Sequence, residues 1–340
     1  MLGGRLRTWR GRTGVVGLLG GIAGEVIVPL LPNLISSAIG TSIRWTLVAV
    51  LVASVVLIAR SRRAESPHES RGLGIVLDLD PGDRAWSGQP AQVAQSDART
   101  RYGKAMPISL RLPSDPTGRD AALDSALDRI SQEPRNRGAT SPDPVPLYPI
   151  ATLHDSFAIG RRIKPGLFPM TLMQKGEAHG GTDPFYPAVG LGEHLRSRLS
   201  PVEQQRAEAF LRADPVDLNS GVDTDRLALV VVLSARSALI RPSVLKAAAT
   251  GESDEYALVA GDRCRAALVI ESVDGSVPAD RRSFELTVRY VHDRWSDWLG
   301  EQGGSGDPIL FLAGPNTIAM ALGYVFGRQR MRFIPHTRTS

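Results

Sequence analysis

Asp307–Arg330 reads DPILFLAGPNTIAMALGYVFGRQR. Ile309 to Ala313 is an apolar run of the length of a buried strand, and Gly314-Pro315-Asn316 breaks it. Thr317 to Gly327 then carries apolar residues at helical spacing. Strand, tight turn and helix in this order place backbone N–H groups and a helix N-terminus at the edge of an α/β sheet, where phosphates and nucleotides bind.

Working outward, Arg226 to Ser234 (RLALVVVLS) is apolar on both faces, as in the middle of a covered parallel sheet. Gly72 to Asp80, Pro107 to Leu112, Leu167 to Gln174, Tyr256 to Ala260, Ala266 to Ile270 and Met331 to Pro335 read as further strands. Helices are expected over Arg119 to Gln132, from Ile150 to Lys164, and over Pro201 to Arg212, Pro242 to Ala249 and Ser283 to Leu299. Ser200-Pro201-Val202-Glu203 opens its helix with a capping pattern. Residues 81–104 read as loop with at most a helical turn, and Lys175 to Gly192 as irregular loop. The βαβ pattern recurs in 72–192 and 226–335, so the body is α/β, built from two Rossmann-like units, with no repeat visible residue by residue.

The formal charge of +5 is unevenly placed. Residues 1–63 carry eight arginines and one acid, Glu25, for +7, which leaves −2 on the remainder. A net-acidic body argues against a long nucleic acid as partner, because that needs a basic face with many phosphate contacts. The single cysteine, Cys264, forms no intrachain disulfide and reads as a small buried residue.

Thr13 to Ile39 is apolar and reaches about 40 Å as a helix; Trp45 to Ala59 reaches about 23 Å and needs Arg44 and Arg60 to snorkel. Arginines flank this pair on both outer sides, which predicts a transmembrane hairpin over 1–63 with both ends cytoplasmic, followed by a linker over 64–71. A cleaved signal peptide is the rival reading of the first run and leaves the body on the same side. Gly17 with Gly21, and Gly20 with Gly24, put small residues at close-approach spacing, the pattern of helices that self-associate in lipid. Glu25 is an ionisable group in mid-span, either functional or sheltered in a helix contact.

Tyr148-Pro149-Ile150-Ala151 with His154 to Arg161, Leu227 to Ser234, and Ile309 to Gly323 with Pro315, Ala319 and Gly323 together resemble the SAVED domain, the sensor module of bacterial CBASS anti-phage systems. The resemblance covers 72–335 and implies two fused CARF-type units that bind a cyclic oligonucleotide made by a partner nucleotidyltransferase. A two-helix hairpin fused to such a sensor is similar to the membrane-acting effectors of those systems. It implies an inner-membrane protein that oligomerises and disrupts the lipid bilayer.

Chemistry of the residues is compatible with this. A cyclic oligonucleotide is small and anionic, and needs helix N-termini and a few polar groups rather than an extended basic surface. Gly314, Pro315, Asn316 and Thr317, together with Ser234 and Arg236 at the end of the strongest strand, are the candidate ligand-binding residues. The bland alternative is turn chemistry, with Asn316 and Thr317 only capping their helix. Lys246, His154 and Arg161 are weaker candidates. No Gly-x-x-x-x-Gly-Lys, His-Glu-x-x-His or Gly-x-Ser-x-Gly motif occurs, and there is no cysteine pair for zinc. No catalytic residue, metal site or cofactor is therefore expected, with a membrane-tethered enzyme degrading cyclic oligonucleotides and a membrane scaffold without ligand as the alternatives.

Overall fold

The computed structural model describes residues 73–81, 88–136, 144–164, 169–176, 184–219, 224–235, 237–259, 261–303, 307–327 and 329–337. The hairpin over 1–63, with Gly17, Gly21, Gly24 and Glu25, and the linker over 64–71 lie outside them. Among the described residues no helix is long and apolar enough to cross a membrane.

The chain folds as mixed α/β with two parallel-rich sheets. The first holds β1 (Leu73–Asp80), β2 (Lys104–Arg111), β3 (Val145–Ile150), β4 (Met170–Lys175) and β5 (Phe185–Leu191) in the order β2-β1-β3-β4-β5. Four strands run parallel and β5 antiparallel. The second holds β6 (Leu211–Asp217), β7 (Leu227–Val232), β8 (Ala266–Ser272), β9 (Ile309–Ala313) and β10 (Arg332–Phe333) in the order β10-β9-β7-β8-β6, with β6 antiparallel. Between strands lie α1 (Gln89–Tyr102), α2 (Pro116–Asn136), α3 (Leu153–Arg162), α4 (Pro201–Glu208), α5 (Ser237–Thr250), α6 (Arg281–Glu301) and α7 (Asn316–Phe326).

Element order makes the duplication plain. β1-α1-β2-α2-β3-α3-β4 and β7-α5-β8-α6-β9-α7-β10 are the same path, and in each the first strand lies between the second and third. The antiparallel strand is added differently: β5 pairs with the fourth strand of the first unit, β6 with the second strand of the second unit. Central strand β7 is buried at every residue, as its two-sided apolar run requires. Three of the four edge strands carry a proline (Pro107, Pro187, Pro215), and β10, the fourth, has only two residues. Each device weakens an edge as a template for further strands.

Several expectations are corrected. Residues 89–102, read as loop, form α1, whose buried face is Ala91, Ala94 and Ala98 with Asp97. That face has no large apolar residue to reveal it, and its smallness is its function: a Cβ on Gly74 of β1 would stand 2.7 Å from the Ala98 Cβ. The helix expected from Ile150 begins at Leu153, and Val145–Ile150 before it is a strand. Pro149 disfavours helix in the residue before it, and the ladder to β4 stops at Leu147, short of the proline. The loop over 175–192 contains β5, whose alternation is broken by a register shift opposite Leu172/Met173. The helix expected to Arg212 stops at Glu208 and β6 follows. Of the strand expected over Tyr256 to Ala260, the described residues 256–259 form only an isolated bridge from Tyr256 to His336.

The capping pattern forms as read: Ser200 Oγ accepts from Glu203 N–H at 3.4 Å, and Glu203 Oε2 accepts from Ser200 N–H at 2.9 Å. Hydrogen bonds from Arg289 and Ser200 pull the Glu203 carboxyl down to about 2. Ser200→Ala is expected to lower stability by about 1 kcal/mol, read from urea midpoints. Cys264 is fully buried and burial pushes its thiol up to about 12, the condition of a packing residue rather than a nucleophile.

Candidate ligand-binding edge

β3 turns into α3 at Ala151-Thr152, and β9 turns into α7 at Gly314-Pro315. The two helices are the most intimate contact between the halves. A Cβ on Gly160 would lie 2.0 Å from the Met320 carbonyl oxygen, and one on Gly323 would lie 2.2 Å from the Phe157 carbonyl oxygen. Gly160 and Gly323 are each the eighth residue of their helix, so the contact is reciprocal and marks a pseudo-twofold. Counting from these glycines aligns VPLYPIATLHDSFAIG (145–160) with PILFLAGPNTIAMALG (308–323) without a gap. The repeat that the sequence does not display by itself is thus recovered at residue level.

Contacts run N-terminus to N-terminus and C-terminus to C-terminus. Asn316 Nδ2 donates to Ala151 O at 2.5 Å, and a Cβ on Gly327 would lie 3.1 Å from Arg161 O. The helices therefore run in the same direction, and their N-termini meet where the strands of both sheets end. A second bond closes this junction: Thr317 Oγ1 donates to Gln174 Oε1, at the end of β4, at 2.7 Å.

The pseudosymmetry stops at the chemistry. At α3, Thr152 Oγ1 accepts from Asp155 N–H, and the buried Asp155 carboxylate occupies the first turn. Arg119 grips it with Nε and Nη2 at 2.7–2.9 Å, and Thr152 Oγ1 donates to it at 2.6 Å. Burial works against ionisation, but hydrogen bonds from His154, Thr152 and Arg119 outweigh it and hold the carboxyl below its ordinary range. The positive end of α3 is therefore filled by the chain's own anion. At α7 the N-cap is Pro315, with no side-chain cap and no acid in the first turn. Its leading N–H groups have no acceptor within the helix; of the three leading residues Asn316 is part-exposed, and Thr317 and Ile318 are buried.

The depressed Asp155 value sets a pH dependence. A carboxyl lowered by folding contributes stability that is complete above about pH 4 and is lost as pH falls through the native value. Asp155→Asn is expected to lose about 2–3 kcal/mol at pH 7, because Arg119 loses its charged partner, and to flatten the acid limb. Urea midpoints measured from pH 7 down to pH 3 check both; an equally steep acid limb in the variant contradicts the assignment.

Gly314, Pro315, Asn316, Thr317 and Ser234 lie at one edge. Leu233 N–H donates to Ala313 O at 2.7 Å, and a Cβ on Gly314 would lie 3.1 Å from the Leu233 Cβ, just before Ser234. The turn after β8 closes on the same place: Gly275, at φ +71°, would bring a Cβ to 2.7 Å from Ala235 Cα. Arg236 lies outside the described residues. The Asn316 and Thr317 side chains bond between the halves, to Ala151 O and to Gln174 Oε1. Of the weaker candidates, His154 lies in the first turn of α3 beside Asp155, and the other two lie away from the junction. Lys246 is an exposed residue of α5, and Arg161 donates to the carbonyls of Met331 and Gln329. His154 is half-exposed with its ring edge-on to Phe333 at 5.7 Å. Sequence reasoning missed Gln174, Asp155, Arg119 and Gly160. Only Gly160 has a sequence signal, its equivalence to Gly323.

Two cavities, of about 580 and 460 Å³, lie beside β6 and α6, lined among others by Asp217, Arg265 and Trp298, and by Leu211, Tyr290 and Arg294. Neither is lined by a candidate residue. Among the described residues no group of three metal-ligating side chains forms.

No family model matches the sequence, and no curated protein matches it. Among solved structures, the chain is similar to the Acinetobacter baumannii Cap4 SAVED/CARF-domain containing receptor with the cyclic trinucleotide 3'3'3'-cAAA. The TM-score is 0.44 at 12% identity, over 78% of this chain and 51% of that one. The chain thus spans about half the length of the receptor it matches.

Proposed function

We propose that this chain is a receptor for a small cyclic oligonucleotide, bound where α3 and α7 meet at the ends of both sheets. The observation that carries the reading is the junction itself: two units of the same strand order present their helix N-termini side by side across a pseudo-twofold. A ring of repeated nucleotides is the small anion whose own repetition suits a repeated platform. The α7 end takes a phosphate at the part-exposed Asn316 N–H, with Gly314, Pro315 and Ser234 forming the edge beside it. At the α3 end Asp155 is already in place, so that side suits sugar or base rather than phosphate. The resemblance of 148–151 with 154–161, of 227–234 and of 309–323 to SAVED segments supports the same ligand class, and the net −2 of residues 64–340 argues against a longer nucleic acid.

In this reading the chain senses and does not catalyse. The arginine-flanked apolar pair in 1–63 anchors it as a multi-pass protein of a bacterial inner membrane, with the sensor on the cytoplasmic side. A partner nucleotidyltransferase supplies the ring, and oligomerisation through Gly17, Gly21 and Gly24 then compromises the bilayer. Calorimetric titration of cyclic di-, tri- and tetranucleotides into the full chain tests the first half, with binding of at least one at micromolar affinity or better expected. No heat with any ring overturns the receptor reading, and linear products after incubation convert it to an enzyme. Deleting 1–63 is expected to abolish toxicity in cells and leave binding intact.

A further inference from the structure

We propose that the Gly160/Gly323 crossing sets which ring size this receptor accepts, by fixing the spacing of its two ligand-facing halves before any ligand arrives. The inference rests on the cyclic-oligonucleotide reading and adds a specificity element to it. A receptor built from two units has two ways to grip a ring. With a hinge between the units it closes around rings of different size; with a locked joint it fits the one whose groups match a fixed separation.

The joint here is locked at backbone depth. At each glycine the partner helix's carbonyl oxygen occupies the space where a side chain would begin, 2.0 Å from one absent Cβ and 2.2 Å from the other. Such a contact lets neither helix roll or slide without a collision between main chains, and packed interfaces of this kind do not deform continuously. The crossing is tied at both ends. On the ligand side stand the Asn316–Ala151 and Thr317–Gln174 bonds. On the far side Arg161 of α3 donates to Met331 O at 3.0 Å, and Arg196, in the connection that follows β5, donates to Tyr324 O at 2.6 Å and lies over the Tyr324 ring at 4.8 Å. A third tie lies away from the helices: Glu285 of α6 accepts from Gly190 N–H of β5 at 2.9 Å. One continuous apolar core contains residues of both units, with Phe157 and Leu172 from the first and Leu322 and Leu310 from the second.

The test uses the full chain with one spin label on each half, at the exposed positions Arg129→Cys and Lys246→Cys; native Cys264 is buried and does not compete. Pulsed dipolar spectroscopy is expected to give one narrow distance, unchanged by saturating cyclic di-, tri- or tetraadenylate. A broad distribution, or one that shifts with a bound ring, overturns the proposal. In parallel, one ring is expected to bind about 100-fold more tightly than the others, a difference of about 2.7 kcal/mol. Similar affinity for two ring sizes overturns it. Binding of no ring removes the receptor reading and the ring-size assignment with it, while a narrow label distance still stands as a property of the joint. Arg196→Ala acts about 12 Å along α7 from its N-terminus and touches no proposed ligand contact. It is expected to broaden the label distance and reduce the preference to below tenfold together. A loss of preference with the label distance still narrow, or a broadened distance with the preference intact, assigns ring size to something other than the joint.

Discussion

Gly160→Ala is expected to lose about 3 kcal/mol or more, the largest single-methyl effect in the molecule. Overpacking usually costs about 1–3 kcal/mol because side chains shift to make room. Here the atom in the way is the Met320 carbonyl oxygen, 2.0 Å from the new Cβ, with the Met320 carbonyl carbon at 2.9 Å. A carbonyl inside a helix yields only if the helix moves, and α7 is held by β9, by Asn316 and by Arg196. Gly323→Ala meets the mirror-image obstacle at Phe157 and is expected to lose a similar amount. The double variant should lose less than the two together, because one displacement of the helices relieves both clashes. Gly300→Ala is the control: it is helical, nothing lies within 4 Å of its absent Cβ, and it should gain a few tenths of a kcal/mol up to about 1. Urea midpoints at constant slope report all four. A Gly160→Ala variant as stable as wild type contradicts the crossing.

Pro315→Asp separates stability from ligand binding by moving them in opposite directions. Pro315 is the N-cap of α7 in extended conformation, φ −67° and ψ 143°, a backbone that aspartate adopts readily. The carboxylate accepts from the open N–H groups of the first turn and meets the positive end of the helix, a gain of about 0.5–1 kcal/mol. Loss of the proline's restriction on the unfolded chain offsets part of it, so a small net rise in Tm is expected. For an anionic ligand the same carboxylate occupies the site and repels the phosphate, and affinity is expected to fall by at least about 100-fold. Pro315→Asn caps without adding charge and should retain measurably more affinity. Equal binding by wild type and Pro315→Asp contradicts a phosphate at α7.

How much of this was readable differs from element to element for physical reasons. β7, β9, α6 and the α7 strand-turn-helix announce themselves because each buries a wide apolar face, and burial writes a period into the residues that do it. α1 does not, since a helix that must lie close over Gly74 buries alanines, and alanine is as common on helix surfaces as beneath them. β3 and β5 are obscured by Pro149 and Pro187, which argue locally against regular structure but fall where the ladder stops or at a sheet edge. The candidate residues of the second unit could be named because Gly314-Pro315 is a visible break. Asp155 and Arg119 could not, because an ion pair between α3 and the start of α2 has no spacing that marks it.

By itself the sequence determined the class of the body, α/β in two repeated halves, and the turn at Gly314–Thr317 as its sharpest feature. It did so because strand and helix periods and turn chemistry are local properties. Only the tertiary structure decided that α3 and α7 run side by side in the same direction, locked by Gly160 and Gly323, and that one helix N-terminus is filled while the other is open. Those facts depend on which carbonyl meets which glycine, and on a carboxylate held by an arginine 36 positions away in the chain.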